Sequence, residues 1–270
     1  MRLAPIITAG LSLLVAACGL DATGTTAKED SYEATVRRAD EARKSGDFDS
    51  AIPLYGRALQ ANPQGIEAKL GLGQSFLSLG ADDEAAAQFR DVLARHGSDS
   101  TARLGLASAL VSMGQAGLAE QQLQAALQAN SRDYRALNVL GVVFDMQGRH
   151  ADAQAQYVRG IAIAPDYTAL RSNLGLSLAI SGRATEAIAQ LAPIANSAKG
   201  DGRVRQNLAF AYVMGGDMVN GLQTCRRDLP EVLAQRQLSY FLELRSLPAE
   251  VRSAEIRRNP AFFPQPSRGG

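Results

Sequence analysis

Six glycines recur at a fixed interval of 34 residues: Gly46, Gly80, Gly114, Gly148, Gly182 and Gly216. Seven positions before each stands a small residue: Ala39, Gly73, Ala107, Gly141, Gly175 and Ala209. Five positions after each stands another: Ala51, Ala85, Ala119, Ala153, Ala187 and Gly221. Self-similarity at such a period means a stack of one supersecondary unit, not a single closed core. Each ladder has a physical reason. A small residue inside a first helix lets a second helix cross closely. The glycine ends that first helix in a left-handed conformation that costs other residues more. The small residue on the second helix lets the next unit approach.

Larger apolar residues fill the space between. Leu72, Leu106, Leu140, Leu174 and Leu208 precede the first ladder. Phe76, Leu110, Phe144, Leu178 and Tyr212 come one turn later, and Tyr55, Phe89, Leu123, Tyr157 and Leu191 lie on the second helix. Pro63 and Pro165 close two of the second helices. Val and Ile form no sustained strand-like run, and Ala, Leu, Gln, Arg and Glu dominate, which favours helix.

This pattern resembles the tetratricopeptide repeat (TPR) family from Tyr32 to about Pro230. The fold expected is therefore all-α: a right-handed helix-turn-helix solenoid of about six repeats with a C-terminal capping helix. Repeat one carries Arg38 and Ala42 where bulk is expected, as a wetter N-terminal cap would. Repeat six has Gly221 and Cys225 in place of Ala and an aromatic, and ends early at Asp228-Leu229-Pro230. Residues 231–246 read as the capping helix, so the solenoid spans 32–247. A short polar helix through Arg258 fits after Pro248, within a segment, 248–270, that reads as a mostly disordered tail carrying Phe262 and Phe263.

Arg2 is the only charge before Asp21, and Leu3 to Ala17 is an uncharged, mostly apolar run. It is too short to span a membrane comfortably and fits a secretory signal over residues 1–17. The ending Val15-Ala16-Ala17-Cys18 resembles a bacterial lipobox. That resemblance implies cleavage before Cys18 and lipidation of its thiol. Gly19, in place of an inner-membrane-retaining Asp, implies an outer-membrane lipoprotein facing the periplasm. Residues 18–31 then serve as the lipidated Cys and a flexible tether.

Chemistry is scarce. With Arg2 removed, 27 Lys+Arg face 27 Asp+Glu, which argues against nucleic-acid binding. His96 and His150 fall near inter-helix turns of different repeats, and no cluster has metal-ligand spacing. Cys225 reads as a buried structural thiol. No catalytic residue, cofactor, metal or small-molecule substrate is expected. What remains is a surface. Family geometry lines the concave face with first helices. Its early part offers Glu33, Asp40, Arg43, Lys44, Glu67 and Gln74. Its later part offers the apolar Val142, Met146, Leu176, Ala179, Ile180, Phe210, Val213 and Met214, with Asn138, Asn173 and Asn207 among them. Apolar walls with a few amides suit an extended peptide or a helix. The alternative is that the capping helix or the tail fills the same groove.

One run is more specific: Val204-Arg205-Gln206-Asn207-Leu208-Ala209-Phe210-Ala211-Tyr212, then Gly216-Asp217, Arg226-Arg227-Asp228-Leu229-Pro230 and Leu244-Arg245-Ser246-Leu247-Pro248. It resembles the end of the TadD-type TPR lipoproteins of the tight-adherence (Flp) pilus machinery. That resemblance implies a scaffold assisting pilus assembly, with the outer-membrane secretin as partner. Two other classes share these features: a TPR lipoprotein of another secretion or outer-membrane assembly system, and a scaffold regulating peptidoglycan enzymes.

Overall fold

The computed structural model describes residues 31–259. Among the described residues there are fourteen helices and no strand. Six antiparallel pairs follow one another: α1 (Tyr32–Lys44) with α2 (Phe48–Ala61), α3 (Ile66–Leu79) with α4 (Asp82–Arg95), and α5 (Ser100–Ser112) with α6 (Ala116–Ala129). Then come α7 (Tyr134–Met146) with α8 (His150–Ile163), α9 (Thr168–Ile180) with α10 (Ala184–Ala195), and α11 (Gly202–Met214) with α12 (Met218–Cys225). Odd-numbered members are the A helices and even-numbered members the B helices. Two more helices follow, α13 (Glu231–Ser246) and α14 (Ala249–Arg258). The signal peptide, Cys18 with its tether, and Phe262 and Phe263 lie outside the described residues.

The hairpins repeat because their ends repeat. All six ladder glycines have positive φ, between 72° and 89°. In each turn the residue after the glycine donates its N–H to the carbonyl five positions back, as Arg149 does to Phe144 at 2.8 Å and Arg183 to Leu178 at 2.8 Å. Several A helices start on an acidic cap: Asp99 accepts from Ala102 N at 2.7 Å, and Asp201 from Val204 N at 2.8 Å. Such a cap is worth about 1 kcal/mol.

Packing follows the ladders. Ala51, Ala85, Ala119, Ala153 and Ala187 are fully buried, as are the bulky Tyr55, Phe89, Leu123 and Leu191 beside them. A Cβ placed on Gly141 would lie 2.3 Å from the Tyr157 ring, and one on Gly175 2.4 Å from Leu191 Cγ. The A helix can approach its B helix only because that atom is missing. The result is the expected all-α repeat solenoid, in which each A helix packs on its B helix and each B helix on the next A helix.

The C-terminal end departs from the repeat. The last B helix, α12, has 8 residues, against 12 to 14 in the other five. Helix α13 packs on α11 and α12. Residues 249–258, where the sequence fits a short polar helix within a tail, form α14, which turns back to touch α13 and α9. Ile256 anchors it with no exposed surface.

Candidate functional site: the inner face of the solenoid

Each A helix also touches the A helix of the next repeat, and no B helix packs comparably on the next B helix. The A helices are therefore the crowded, inner side of the superhelix. The sequence-predicted groove residues all sit on them.

At the N-terminal end this face is polar. Glu33, Lys44 and Glu67 are exposed, while Asp40, Arg43 and Gln74 are half-buried. Tyr55, rising from α2, ties the face together: its hydroxyl donates to Asp40 Oδ1 at 2.5 Å and accepts from Arg43 Nε at 3.2 Å. Burial, followed by the Asp40 hydrogen bond, pushes the Tyr55 phenol above its ordinary value. Tyr32 donates to Glu67 Oε2 at 3.1 Å across the first two repeats.

The later part of the face is apolar, but little of it reaches solvent. Val142, Leu176, Ile180 and Phe210 are 5% exposed or less, while Met146 and Met214 are half-buried. The Phe210 ring meets Phe241 of α13 edge-on at 5.3 Å between centroids. Helix α14 lies against α9, which carries Leu176 and Ile180. The amides are engaged as well. Asn173 Nδ2 donates to Asn138 Oδ1 at 2.9 Å, and Asn207 Nδ2 donates to Ser172 Oγ at 3.2 Å. These side chains stitch consecutive A helices together, so in this structure their bonds are made within the fold.

A polar cluster at repeats four and five escaped the sequence reading. Asp145, 1% exposed, accepts from Ser177 Oγ at 2.7 Å and from Tyr157 OH at 3.0 Å, and its Oδ1 lies 2.7 Å from His150 Nδ1. Burial raises the Asp145 carboxyl above its usual range despite the lowering effect of the His150 and Ser177 contacts. Gln154 extends the cluster, donating to Ser181 Oγ at 3.0 Å and accepting from Arg183 at 2.8 Å. The available signal was Asp145 on the inner face, 12 positions before the ladder tyrosine Tyr157. The cluster is a hydrogen-bonded brace between repeats. His150 meets the carboxylate through Nδ1, and among the described residues its Nε2 has no hydrogen-bond partner. Among the described residues no group of His, Cys, Asp and Glu is placed to hold a metal ion, and no helix is long and apolar enough to cross a membrane.

The inner face is thus polar at its start and covered at its end, and known proteins share the repeat fold. A TPR repeat-containing thioredoxin, TTL4, of Arabidopsis thaliana is 35% identical over 80 residues, which is 30% of this chain and 12% of that protein's length. TTC0263, a thermophilic TPR protein of Thermus thermophilus, superposes with a TM-score of 0.61 at 26% identity over 68% of this chain and 100% of its own. YrrB, a TPR protein with an unusual peptide-binding site, superposes at 0.51 and 19% identity over 72% of this chain and 98% of its own. The tetratricopeptide repeat model itself matches residues 36–100, 104–168 and 147–199, and the chain belongs to the tetratricopeptide repeat family.

Proposed function

We propose that this chain is a protein-binding scaffold, anchored through Cys18 to the outer membrane and facing the periplasm, that assists tight-adherence pilus biogenesis by helping the secretin assemble or reach its place. The observation that carries the binding role is the inner face of repeats one and two, where Glu33, Lys44 and Glu67 are exposed on consecutive A helices. Such a face recognises a segment bearing both charges, and YrrB, which shares the fold, has a peptide-binding site. The membrane address rests on Val15-Ala16-Ala17-Cys18, and the pilus role on the TadD-like run from Val204 to Pro248.

Anchoring and weak binding work together. Thirteen residues separate Cys18 from Tyr32, and a chain of that length has a root-mean-square span of about 20 Å. A solenoid held that close to the membrane meets other membrane-bound partners at high effective concentration.

The test is a deletion strain complemented with wild-type protein or with Cys18→Ala. Deletion is expected to reduce secretin multimers and surface pili together. Cys18→Ala is expected to restore them poorly at normal expression and better when overproduced. Normal secretin multimers and normal pili in the deletion strain would end the pilus assignment. Crosslinked peptidoglycan enzymes in place of a secretin would move the scaffold to envelope regulation.

A further inference from the structure

The sixth repeat interrupts the bulky ladder of the B helices. Tyr55, Phe89, Leu123, Tyr157 and Leu191, each 34 residues from the last, are at most 1% exposed and fill the space between helices. The next place in that series is Cys225, a far smaller side chain. Helix α12 stops there. The two departures leave a cleft of about 250 Å³ between α11, α12 and α13. Gly202 and Gln206 of α11, Thr224 and Cys225 of α12, Asp228 and Leu229 after it, and Gln237 of α13 line it, with the Asp228 carboxylate held by Arg205. Its walls are more apolar than polar. A benzene ring is accommodated by an apolar cavity of roughly 150 Å³, and unfilled apolar space costs stability in proportion to its volume.

The course of the chain points at this cleft. Helix α14 doubles back along α13, and at its end Asn259 Nδ2 donates to Tyr240 OH at 2.9 Å. Gln237, on the cleft wall, is three residues before Tyr240 on α13 and on the same side of that helix. Three residues of α13, a rise of about 4.5 Å, separate the residue that Asn259 touches from the cleft wall. Eleven residues follow Asn259, and Phe262 and Phe263 are their large apolar side chains. Three residues of extended chain reach about 10 Å.

We propose that this cleft is a receptor site for an aromatic side chain, and that its occupant is the Phe262-Phe263 pair of the same chain. The phenyl ring supplies, from the C-terminus, the bulk that Cys225 withholds from the ladder. The last repeat is then closed by three successive pieces of the chain: α13 over α11, α14 over α9, and the terminal aromatic pair in the cleft. This inference is independent of the pilus role.

Cys225 is its own reporter. The thiol is 6% exposed, and burial pushes it up to about 11, so alkylation is slow while the cleft is closed. In the full chain carrying Cys18→Ser, Cys225 is the sole thiol. Its alkylation by iodoacetamide is compared with that in a chain ending at Asn259 and in the Phe262→Ala/Phe263→Ala variant. We expect both changes to speed labelling about tenfold at unchanged helical content. A synthetic peptide of residues 260–270 should slow it again in the truncated chain. In a Cys225→Leu background, where the cleft fills itself, removing the aromatic pair should no longer lower the melting temperature. A photo-crosslinking phenylalanine at position 262 or 263 should attach to the peptides containing Gln206 or Gln237. Equal labelling rates in the three chains, or crosslinks that map away from α11 and α13, would overturn the proposal, whether the cleft is then open or taken by another protein.

Discussion

At the first two repeats the inner face keeps Glu33, Lys44 and Glu67 in solvent; at the last two, the same face holds Leu176, Ile180 and Phe210, none more than 3% exposed. The backbone repeats in the two places, with the same hairpin and the same glycine turn. Lys44 and Ile180 hold equivalent positions, and Asp40 and Gln74, the equivalents of Leu176 and Phe210, are only half-buried. What differs is whether anything lies on top. Nothing in the described chain covers α1 and α3, whereas α13 and α14 lie against α11 and α9. An apolar inner face is thus no sign of a vacant binding site. In this chain α13 lies against α11 and α14 against α9, while the described chain leaves the charged end uncovered.

The sharpest way to break that comparison is to put a charge at the closed end. Phe210→Asp places a carboxylate at a fully buried position, against the Phe241 ring. Losing a buried Phe alone costs about 3–5 kcal/mol, and an unpaired buried charge adds to that. We expect urea denaturation to show a loss of at least about 4 kcal/mol, with α13 and α14 losing hydrogen-exchange protection first. Reversing Glu33 and Glu67 to Lys at the open end should leave stability within about 0.5 kcal/mol and weaken partner capture instead. A stable Phe210→Asp protein would mean that the C-terminal helices do not seal the face.

A smaller effect tests the repeat itself. Ala153 has no exposed surface, and its neighbour Asp152 is exposed. Ala153→Leu should overpack the contact and cost about 1–3 kcal/mol, while Asp152→Leu should leave the melting temperature nearly unchanged. Equal shifts for the two would contradict the register of the small-residue ladder.

Much of this was legible in the sequence, for physical reasons that also mark where legibility stops. Gly46 through Gly216 announce their turns because a positive φ is cheap only for glycine, and six copies at one spacing leave a single reading. Gly73, Gly141 and the alanines in register with them announce close helix crossings, because a larger side chain there would collide with a ring such as Tyr157. Periodicity likewise identifies Leu176, Ile180 and Phe210 as residues that avoid water. It cannot say which element covers them, since a partner helix and α14 present the same requirement. Helix α14 itself is mostly polar, with Ile256 its only fully buried apolar residue, so nothing in its local sequence advertises a docked face. Asp145 was unreadable for a related reason. Its partners His150, Tyr157 and Ser177 stand 5, 12 and 32 residues away, and only the stacking of repeats brings them to one carboxylate.

The smallest effect compares two carboxylates that accept from the two tyrosines of the B-helix ladder, Tyr55 and Tyr157. Asp40 accepts from Tyr55 at the open end and is half-buried; Asp145 accepts from Tyr157 in the middle of the stack and is 1% exposed. Replacing Asp145 with Asn keeps the shape but turns one acceptor edge into a donor facing Ser177, His150 or Tyr157. Each buried group left unpaired costs about 1–3 kcal/mol, and hydroxyls that rotate to accept recover part of it, so the expected loss is about 1–2 kcal/mol. Asp40→Asn, with water to replace what is lost, should cost less than about 1 kcal/mol. The pH dependence separates burial from hydrogen bonding at Asp145. Because burial raises its carboxyl in the folded state, the fold takes up this proton more readily than the unfolded chain does. The stability linked to it is full below the ordinary carboxylate value of about 3.9 and is lost as pH rises through the higher folded value. The advantage of the wild type over Asp145→Asn should therefore widen on acidification, and a carboxyl-carbon NMR titration of Asp145 should show a midpoint above about 3.9. A midpoint below that value, with a gap that narrows in acid, would show that the three contacts hold a carboxylate outright and that the brace between repeats four and five is ionic.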